Sequence, residues 1–300
     1  RLMSRKLMKM RFIGLGKMGK NMVLHLLEQG VEVVAYNRTP LPDTPFPTVL
    51  TIKELVAQLP TPRVIWLMVP NGMPVDEMID QLIAGGLSKG DTIIDGGNCY
   101  YKDSIRRAKT LIEKGINFID CGTSGGLEGA RNGACLMIGG DEGVVKNLSW
   151  LWTSASQGSA LRGWEYFGPS GAGHFVKMVH NGVEYGMNQA IGEGFEILSK
   201  GPYTLNNAKI AQNWTRGSVV RGWLMELLAK AMEKDPKLDT FEGKIGGGQT
   251  GGWAVEAAHE FGVDAIVLED ALKAREKYQT KPTFAGKVVS ALRAGYGGHT

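Results

Sequence analysis

Short apolar runs alternate with helix-patterned stretches through the first half of the chain, and this alternation constrains the fold more than any other feature. Met10-Arg11-Phe12-Ile13, Val31-Glu32-Val33-Val34-Ala35-Tyr36, Val64-Ile65-Trp66-Leu67-Met68-Val69, Thr92-Ile93-Ile94-Asp95, Ile116-Asn117-Phe118-Ile119-Asp120 and Cys135-Leu136-Met137-Ile138 read as strands. The run at 64–69 is apolar throughout, as a strand covered on both faces should be. Helical spacing fills intervening stretches, from about Met18 to Gln29 and from about Ser104 to Lys114. Such alternation predicts an α/β class with a doubly wound parallel sheet. After Gly168-Pro169-Ser170-Gly171 the strand signal fades, and helices are expected over 171–200, 206–216, 219–232, 252–262, 265–279 and 283–294. The expected organisation is a dinucleotide-binding domain over 1–168 and an all-helical domain over 169–300.

A chain of 300 residues with 43% hydrophobic content can bury more than one core. The net charge of +4 is mild, and no basic cluster is interleaved with aromatics, which argues against nucleic acid as a partner. The small cationic excess suits an anionic small substrate. No apolar run is long enough for a bilayer, so no membrane span is expected. The basic start, Arg1 to Lys9, has no hydrophobic signal core and is set aside from fold reasoning. Cys99, Cys121 and Cys135 are odd in number and lack CxxC spacing, so neither a disulfide framework nor a zinc site is indicated, and a reduced cytoplasmic setting is expected.

Gly14-Leu15-Gly16-Lys17-Met18-Gly19 follows the first strand and opens the first helix. In that context the first two glycines permit a tight turn and the approach of a pyrophosphate to the helix N-terminus, while the third permits close helix–strand packing. This is the turn of a Rossmann-type nucleotide site. The second strand ends in Asn37-Arg38-Thr39. A neutral Asn37 stands where NAD sites usually place an acid, and Arg38 with Thr39 can accommodate a 2′-phosphate, which favours NADP over NAD. Met68-Val69-Pro70 and Asp95-Gly96-Gly97-Asn98 end later strands and fall where the nicotinamide half would be held.

In the second half, Lys177, His180, Asn181, Glu184 and Tyr185 recur at i, i+3, i+4, i+7 and i+8, which is one face of a helix. Apolar residues at Phe175, Met178, Val179, Val183, Met187, Ile191, Phe195 and Leu198 surround it. The polar face is therefore expected to line a cleft.

Taken in order along 10–299, the GLGKMG turn, Asn37-Arg38-Thr39, Asp95-Gly96-Gly97-Asn98, Thr123-Ser124-Gly125-Gly126-Leu127-Glu128-Gly129-Ala130 and Lys177-Met178-Val179-His180-Asn181-Gly182-Val183-Glu184-Tyr185 resemble the 6-phosphogluconate dehydrogenases of the β-hydroxyacid dehydrogenase superfamily. The length resembles the short-chain, bacterial-type class, whose members often use NAD. The resemblance implies oxidation of the C3 hydroxyl of 6-phosphogluconate, loss of CO2, and protonation of the enediol at C1 to give ribulose 5-phosphate, a step of the pentose phosphate pathway. It needs no metal, because a positioned ammonium can stabilise the developing enolate.

The resemblance also implies roles. Lys177 would be the general base, and Glu184 the acid at C1. His180 and Asn181 would hold substrate hydroxyls, Asn98 substrate or nicotinamide, and Ser124, Gly125 and Gly126 the C1 carboxylate. Tyr185 and Arg275 would reach the phosphate. Arg293 and His299 match an R-x5-H tail that crosses to a partner subunit, so a homo-oligomer, a dimer or larger, is expected.

The chain departs from the family pattern at Gly251-Gly252-Trp253-Ala254, where Gly-Lys/Arg-Trp-Thr is usual. A cation and a hydroxyl are missing from the phosphate pocket, unless Lys244 compensates. Cys99 replaces the usual serine after Gly-Gly-Asn. Two other readings remain: a β-hydroxyacid dehydrogenase acting on an unphosphorylated acid without decarboxylation, and a nucleotide-binding sensor without catalysis. The first leaves Glu184 and the Arg293–His299 tail unexplained. The second is disfavoured because Lys177, Asn181 and Glu184 are all present.

Overall fold

The computed structural model describes residues 8–158, 163–247 and 249–297. In chain order the first part contains β1 (Lys9–Ile13), α1 (Lys17–Glu28), β2 (Glu32–Tyr36), β3 (Thr48–Val49), α2 (Ile52–Ala57), β4 (Val64–Leu67), α3 (Met73–Ala84), β5 (Thr92–Asp95), α4 (Tyr101–Ile112), β6 (Asn117–Ser124), α5 (Gly126–Asn132), β7 (Cys135–Gly139), α6 (Glu142–Asn147), α7 (Ser149–Ala155) and β8 (Trp164–Gly168). The rest is helical: α8 (Ala172–Lys200), α9 (Asn207–Trp214), α10 (Trp223–Lys234), α11 (Gln249–Glu260), α12 (Ile266–Thr280) and α13 (Phe284–Gly297). The chain packs as two compact units, Arg1–Met178 and Val179–Thr300, with the division falling inside α8. Among the described residues no helix is long and apolar enough to cross a membrane.

The first unit is built on one sheet of order β3-β2-β1-β4-β5-β6-β7-β8. Period-2 alternation sends Phe12, Trp66, Ile94 and Ile119 to a core shared with α1 and α7, and Ile13, Ile65, Ile93 and Phe118 to a core shared with α2, α3 and α4. A sheet buried on both faces favours apolar strands: β4 is apolar throughout, and β5 is buried at all of its positions, with Thr92 and Asp95 flanking Ile93 and Ile94. The order reverses between β1 and β4, the position where such sheets bind ligands.

One expectation needs correction. The strand at 135–139 runs antiparallel to β6, with Ser124 opposite Cys135. A parallel return needs a crossover of a dozen or so residues, and the linker here, mostly the short α5, brings the chain straight back. β8 then joins β7 in parallel. Its alternating half-buried pattern and edge position explain why it is not evident in the sequence.

The second unit packs the C-terminal part of α8 with α9, α10 and α13 around Phe195, Met225, Leu228, Met232, Leu238 and Leu292. A smaller cluster of Ile245, Tyr278, Ala285 and Val289 forms beside it. On α8 the expected apolar face is partly inverted. Val179, Val183 and Met187 are exposed, whereas Asn181, Asn188 and Gln189 are buried.

Candidate active site

Two of the three glycines of the first turn, Gly14 and Gly19, are required by contacts within the chain. Gly14 has φ +98°, and a Cβ there would stand 2.2 Å from the carbonyl oxygen of Met68. A Cβ on Gly19 would meet the carbonyl oxygen of Gly14 at 1.9 Å, so α1 lies directly against the turn. At Gly16 no described atom lies within 4 Å of where a Cβ would point. Gly16 is also the N-cap of α1, and no side chain caps that end. The positive end of a helix without a side-chain cap fits a pyrophosphate. The Asn37 side-chain oxygen accepts from Leu15 N at 2.9 Å, and its amide donates to Thr39 O at 2.7 Å. Asn37 therefore fastens the glycine turn to the end of β2, leaving Arg38 and Thr39 exposed at the same edge. Met18 is half-buried and packs against the core beneath α1.

The ends of β4 and β5 are tied by a buried polar network. The Asp95 carboxylate accepts from Gly97 N at 3.2 Å and from the Cys99 thiol at 3.5 Å. Burial, and then the negative charge of Asp95, push the Cys99 thiol well above its ordinary pKa, so it stays protonated as a donor. Arg107 lies 3.7 Å from Asp95 through Nη1. It also donates to Asp76 through Nε at 2.9 Å and to Gly72 O at 2.9 Å. One buried guanidinium thus holds the segment after Met68-Val69-Pro70 and the loop that carries Asn98. Asn98 itself is exposed. Thr123 Oγ1 donates to Gly96 O at 3.3 Å, linking the end of β6 to the same loop. Because β5 and β6 are parallel, Ser124, Gly125 and Gly126 fall at the sheet edge that carries the glycine turn. Gly125 has φ +117°, and a Cβ there would clash with Gly129 Cα at 2.9 Å.

The start of α8 is anchored to this sheet. The buried Asp120 carboxylate accepts from Gly171 N at 2.7 Å and His174 N at 2.8 Å, capping the helix and complementing its dipole. Hydrogen bonds to a charged group contribute roughly 1.5–3 kcal/mol each. His174 Nδ1 pairs with Ser104 Oγ of α4 at 2.7 Å. A Cβ on Gly173 would meet Met137 O at 2.4 Å, so helix backbone and strand backbone touch. About one and a half turns in, Lys177 is buried, and Gly122 of β6 leaves the space beneath its Cβ.

In the second unit Glu184, Tyr185, Arg275, Arg293 and Tyr296 form a charged and aromatic cluster. Tyr185 is buried, its hydroxyl 3.3 Å from Thr250 Oγ1. The Arg275 guanidinium carbon lies 3.3 Å from the centre of the Tyr185 ring. A Cβ on Gly251 would fall 2.2 Å from a carbon of that ring. Arg275 is buried, and neither terminal nitrogen has a hydrogen-bond partner among the described residues. Burial, the largest influence, pulls its pKa down. Buried donors without acceptors suit an anionic ligand. Glu184 accepts from the Tyr296 hydroxyl at 2.6 Å.

The cofactor residues expected from sequence thus gather at one sheet edge. Lys177 is placed by β6. Asn181 is buried and His180 half-buried on α8, while His299 lies outside the described residues. Sequence reasoning missed Arg107, Asp120 and Tyr296. Their roles come from partners far away in the chain, and no local pattern signals them.

Comparison with known proteins matches this arrangement. Residues 9–162 match the NAD binding domain of 6-phosphogluconate dehydrogenase, and residues 173–283 match the 6-phosphogluconate dehydrogenase C-terminal domain. A Bacillus subtilis protein that carries the 6-phosphogluconate dehydrogenase name provisionally is 42% identical over 97% of this chain and 98% of its own length. An NAD(+)-dependent, decarboxylating 6-phosphogluconate dehydrogenase of Haloferax volcanii is 37% identical, over 97% of this chain and 98% of its own length. The solved 6-phosphogluconate dehydrogenase of Plasmodium falciparum, studied with NADP+ and with 6-phosphogluconate, superposes with a TM-score of 0.83 at 31% identity, covering 91% of this chain and 62% of that one. The glycine turn, the uncapped helix that follows it and these matches together place the chain in the 6-phosphogluconate dehydrogenase family, as an NAD(P)-dependent oxidoreductase.

Proposed function

We propose that the protein oxidatively decarboxylates 6-phosphogluconate to ribulose 5-phosphate and CO2. The observation that carries this reading is the buried Arg275 guanidinium, whose terminal nitrogens have no hydrogen-bond acceptor among the described residues and which stacks on Tyr185, on the helical unit that also carries Glu184. A buried planar cation with free donors fits a phosphate ester better than it fits a neutral sugar.

Gly14, Leu15, Gly16, Met18 and Gly19 would hold the pyrophosphate half of the cofactor, and Asn37, Arg38 and Thr39 its ribose end. Met68, Val69, Pro70 and Asn98 would hold the nicotinamide half. When bound, the nicotinamide supplies hydride acceptance from C3. Lys177 takes the C3 hydroxyl proton as hydride leaves, and as an ammonium it then gives that proton to the keto oxygen while the carboxylate departs as CO2, which leaves the enediol and a neutral amine. Ser124, Gly125 and Gly126 orient that carboxylate, and His180 and Asn181 the hydroxyls. Glu184 delivers a proton to C1 of the enediol. Tyr185 and Arg275 hold the phosphate, and Arg293, at the start of the R-x5-H tail, reaches a partner subunit's site. Arg38, exposed at the end of β2, favours NADP. A homo-oligomer, dimer or larger, with His299 completing a partner's site, and a cytoplasmic setting belong to the same reading.

The test is reduction of NADP and of NAD at 340 nm with 6-phosphogluconate, with CO2 trapped in parallel. Matching reduction and CO2 release are expected, with Lys177→Met and Glu184→Gln each lower by orders of magnitude. Reduction without CO2 would favour the second reading, an unphosphorylated hydroxy acid as substrate, for which the neutral Gly252 is the supporting observation.

A further inference from the structure

We propose that Tyr296 is a positioning residue for the last proton transfer, fixing the Glu184 carboxyl so that Oε2 carries the proton delivered to C1. The proposal rests on the assignment of Glu184 as that acid. Its ground is the directed chain Asn188 to Tyr296 to Glu184, drawn from α8 and α13 within one compact unit.

The Asn188 amide donates to the Tyr296 hydroxyl oxygen at 3.1 Å. An amide N–H cannot accept, so the hydroxyl must turn its own proton to Glu184 Oε1, 2.6 Å away. With Oε1 accepting, a protonated Glu184 carries its hydrogen on Oε2. In the transfer that hydrogen leaves Oε2, and the electron pair of the enediol C=C bond forms the new C1–H bond. The C2 hydroxyl becomes the ketone, and its proton passes to the neutral amine of Lys177. Glu184 ends as a carboxylate. The Tyr296 hydrogen bond strengthens as that charge develops, so it stabilises the transition state more than the ground state.

The surroundings suit a permanent donor. Glu184 and Asn188 face Tyr296 from α8, Arg275 from α12, and the Trp223 ring from α10 at 6.4 Å. Burial first, and then the charge of Glu184, push the phenol above its ordinary value, so it keeps its proton across neutral pH.

The experiment is solvent-deuterium incorporation at C1 of ribulose 5-phosphate, followed by NMR with reduced cofactor present, for wild type, Tyr296→Phe and Glu184→Gln. Loss of a hydrogen bond to a charged group predicts that Tyr296→Phe exchanges about 10- to 100-fold more slowly. The cofactor Kd should stay unchanged, because Tyr296 acts on the proton transfer alone. Wild-type exchange in Tyr296→Phe, with Glu184→Gln inactive, would overturn the role of Tyr296 while sparing that of Glu184. Wild-type exchange in Glu184→Gln would overturn both. A parallel loss of exchange and cofactor affinity in Tyr296→Phe would overturn the proposal in favour of a structural role. Should Tyr296→Phe not fold, Asn188→Ala replaces it: the hydroxyl is then free to turn away, a smaller loss of exchange is expected, and no loss overturns the proposal.

Discussion

Gly122 of β6 lies so close beneath Lys177 of α8 that a methyl group at 122 would stand 2.4 Å from the lysine Cβ. No real pair of carbons tolerates that distance, so strand and helix meet at the one residue type without a side chain. Gly122→Ala must push α8 outward. Overpacking of this kind costs about 1–3 kcal/mol, and the base proposed at Lys177, displaced by ~1 Å, would lose about 100-fold in rate. Steady-state kinetics on Gly122→Ala should show a kcat reduced by about that factor. Titration should show an unchanged cofactor Kd, because the glycine turn is elsewhere on the sheet.

Arg107 is expected to be needed by both loops at once. Arg107→Leu removes the only cation facing the buried Asp95 among the described ion pairs and frees Gly72 O and Asp76. An uncompensated buried carboxylate costs about 3–5 kcal/mol, which thermal or denaturant melts should register. The same variant should bind NAD(P) more weakly, and Arg107→Lys should restore part of the stability but less of the binding, since one ammonium cannot span three acceptors.

Acid sensitivity follows from the other end of that guanidinium. The Arg107 hydrogen bonds, outweighing the opposing effect of burial, hold the Asp76 carboxyl below its ordinary value, with Arg106 assisting. The folded state therefore favours the charged form. Its contribution is complete above the ordinary carboxylate value and is lost as pH falls through the lowered folded value. Wild type should exceed Asp76→Asn in stability near neutrality, and the gap should close in denaturant melts taken from about pH 7 down to about pH 3.

Much of the first unit was legible because its signals are local. A glycine turn after a strand, and apolar runs at regular intervals, report on backbone geometry at their own positions. The helix over 171–200 was legible for the same reason, but not which of its faces is buried, since Val179, Val183 and Met187 are exposed and Asn181 is buried. The direction of β7 was not, because strand sense depends on how far a connection can reach. Nor were Asp120, Arg107 and Tyr296. Asp120 caps a helix that begins about fifty residues later, and Tyr296 meets Glu184 across more than a hundred. Contacts of that kind exist only once the chain has packed.

Position 252 offers a test in the direction of gain. No described atom lies within 4 Å of the point where a Gly252 Cβ would sit, so a longer side chain has room. Gly252→Lys should lower the KM for 6-phosphogluconate about tenfold, the effect of one charge-assisted bond. It should leave the KM for unphosphorylated gluconate unchanged. An equal effect on both acids would separate position 252 from phosphate recognition.

The unbroken course of α8 from Ala172 to Lys200 has a last consequence. Glu184 and Asn188 stand four residues apart on it, about one turn and about 6 Å of rise, and both meet the Tyr296 hydroxyl. Adding or deleting one residue between them would turn one past the other by about 100° around the axis, so that the hydroxyl could no longer meet both. Loops elsewhere in such a chain can change length freely. The interval from 184 to 188 is a count that the proposed proton delivery would hold constant.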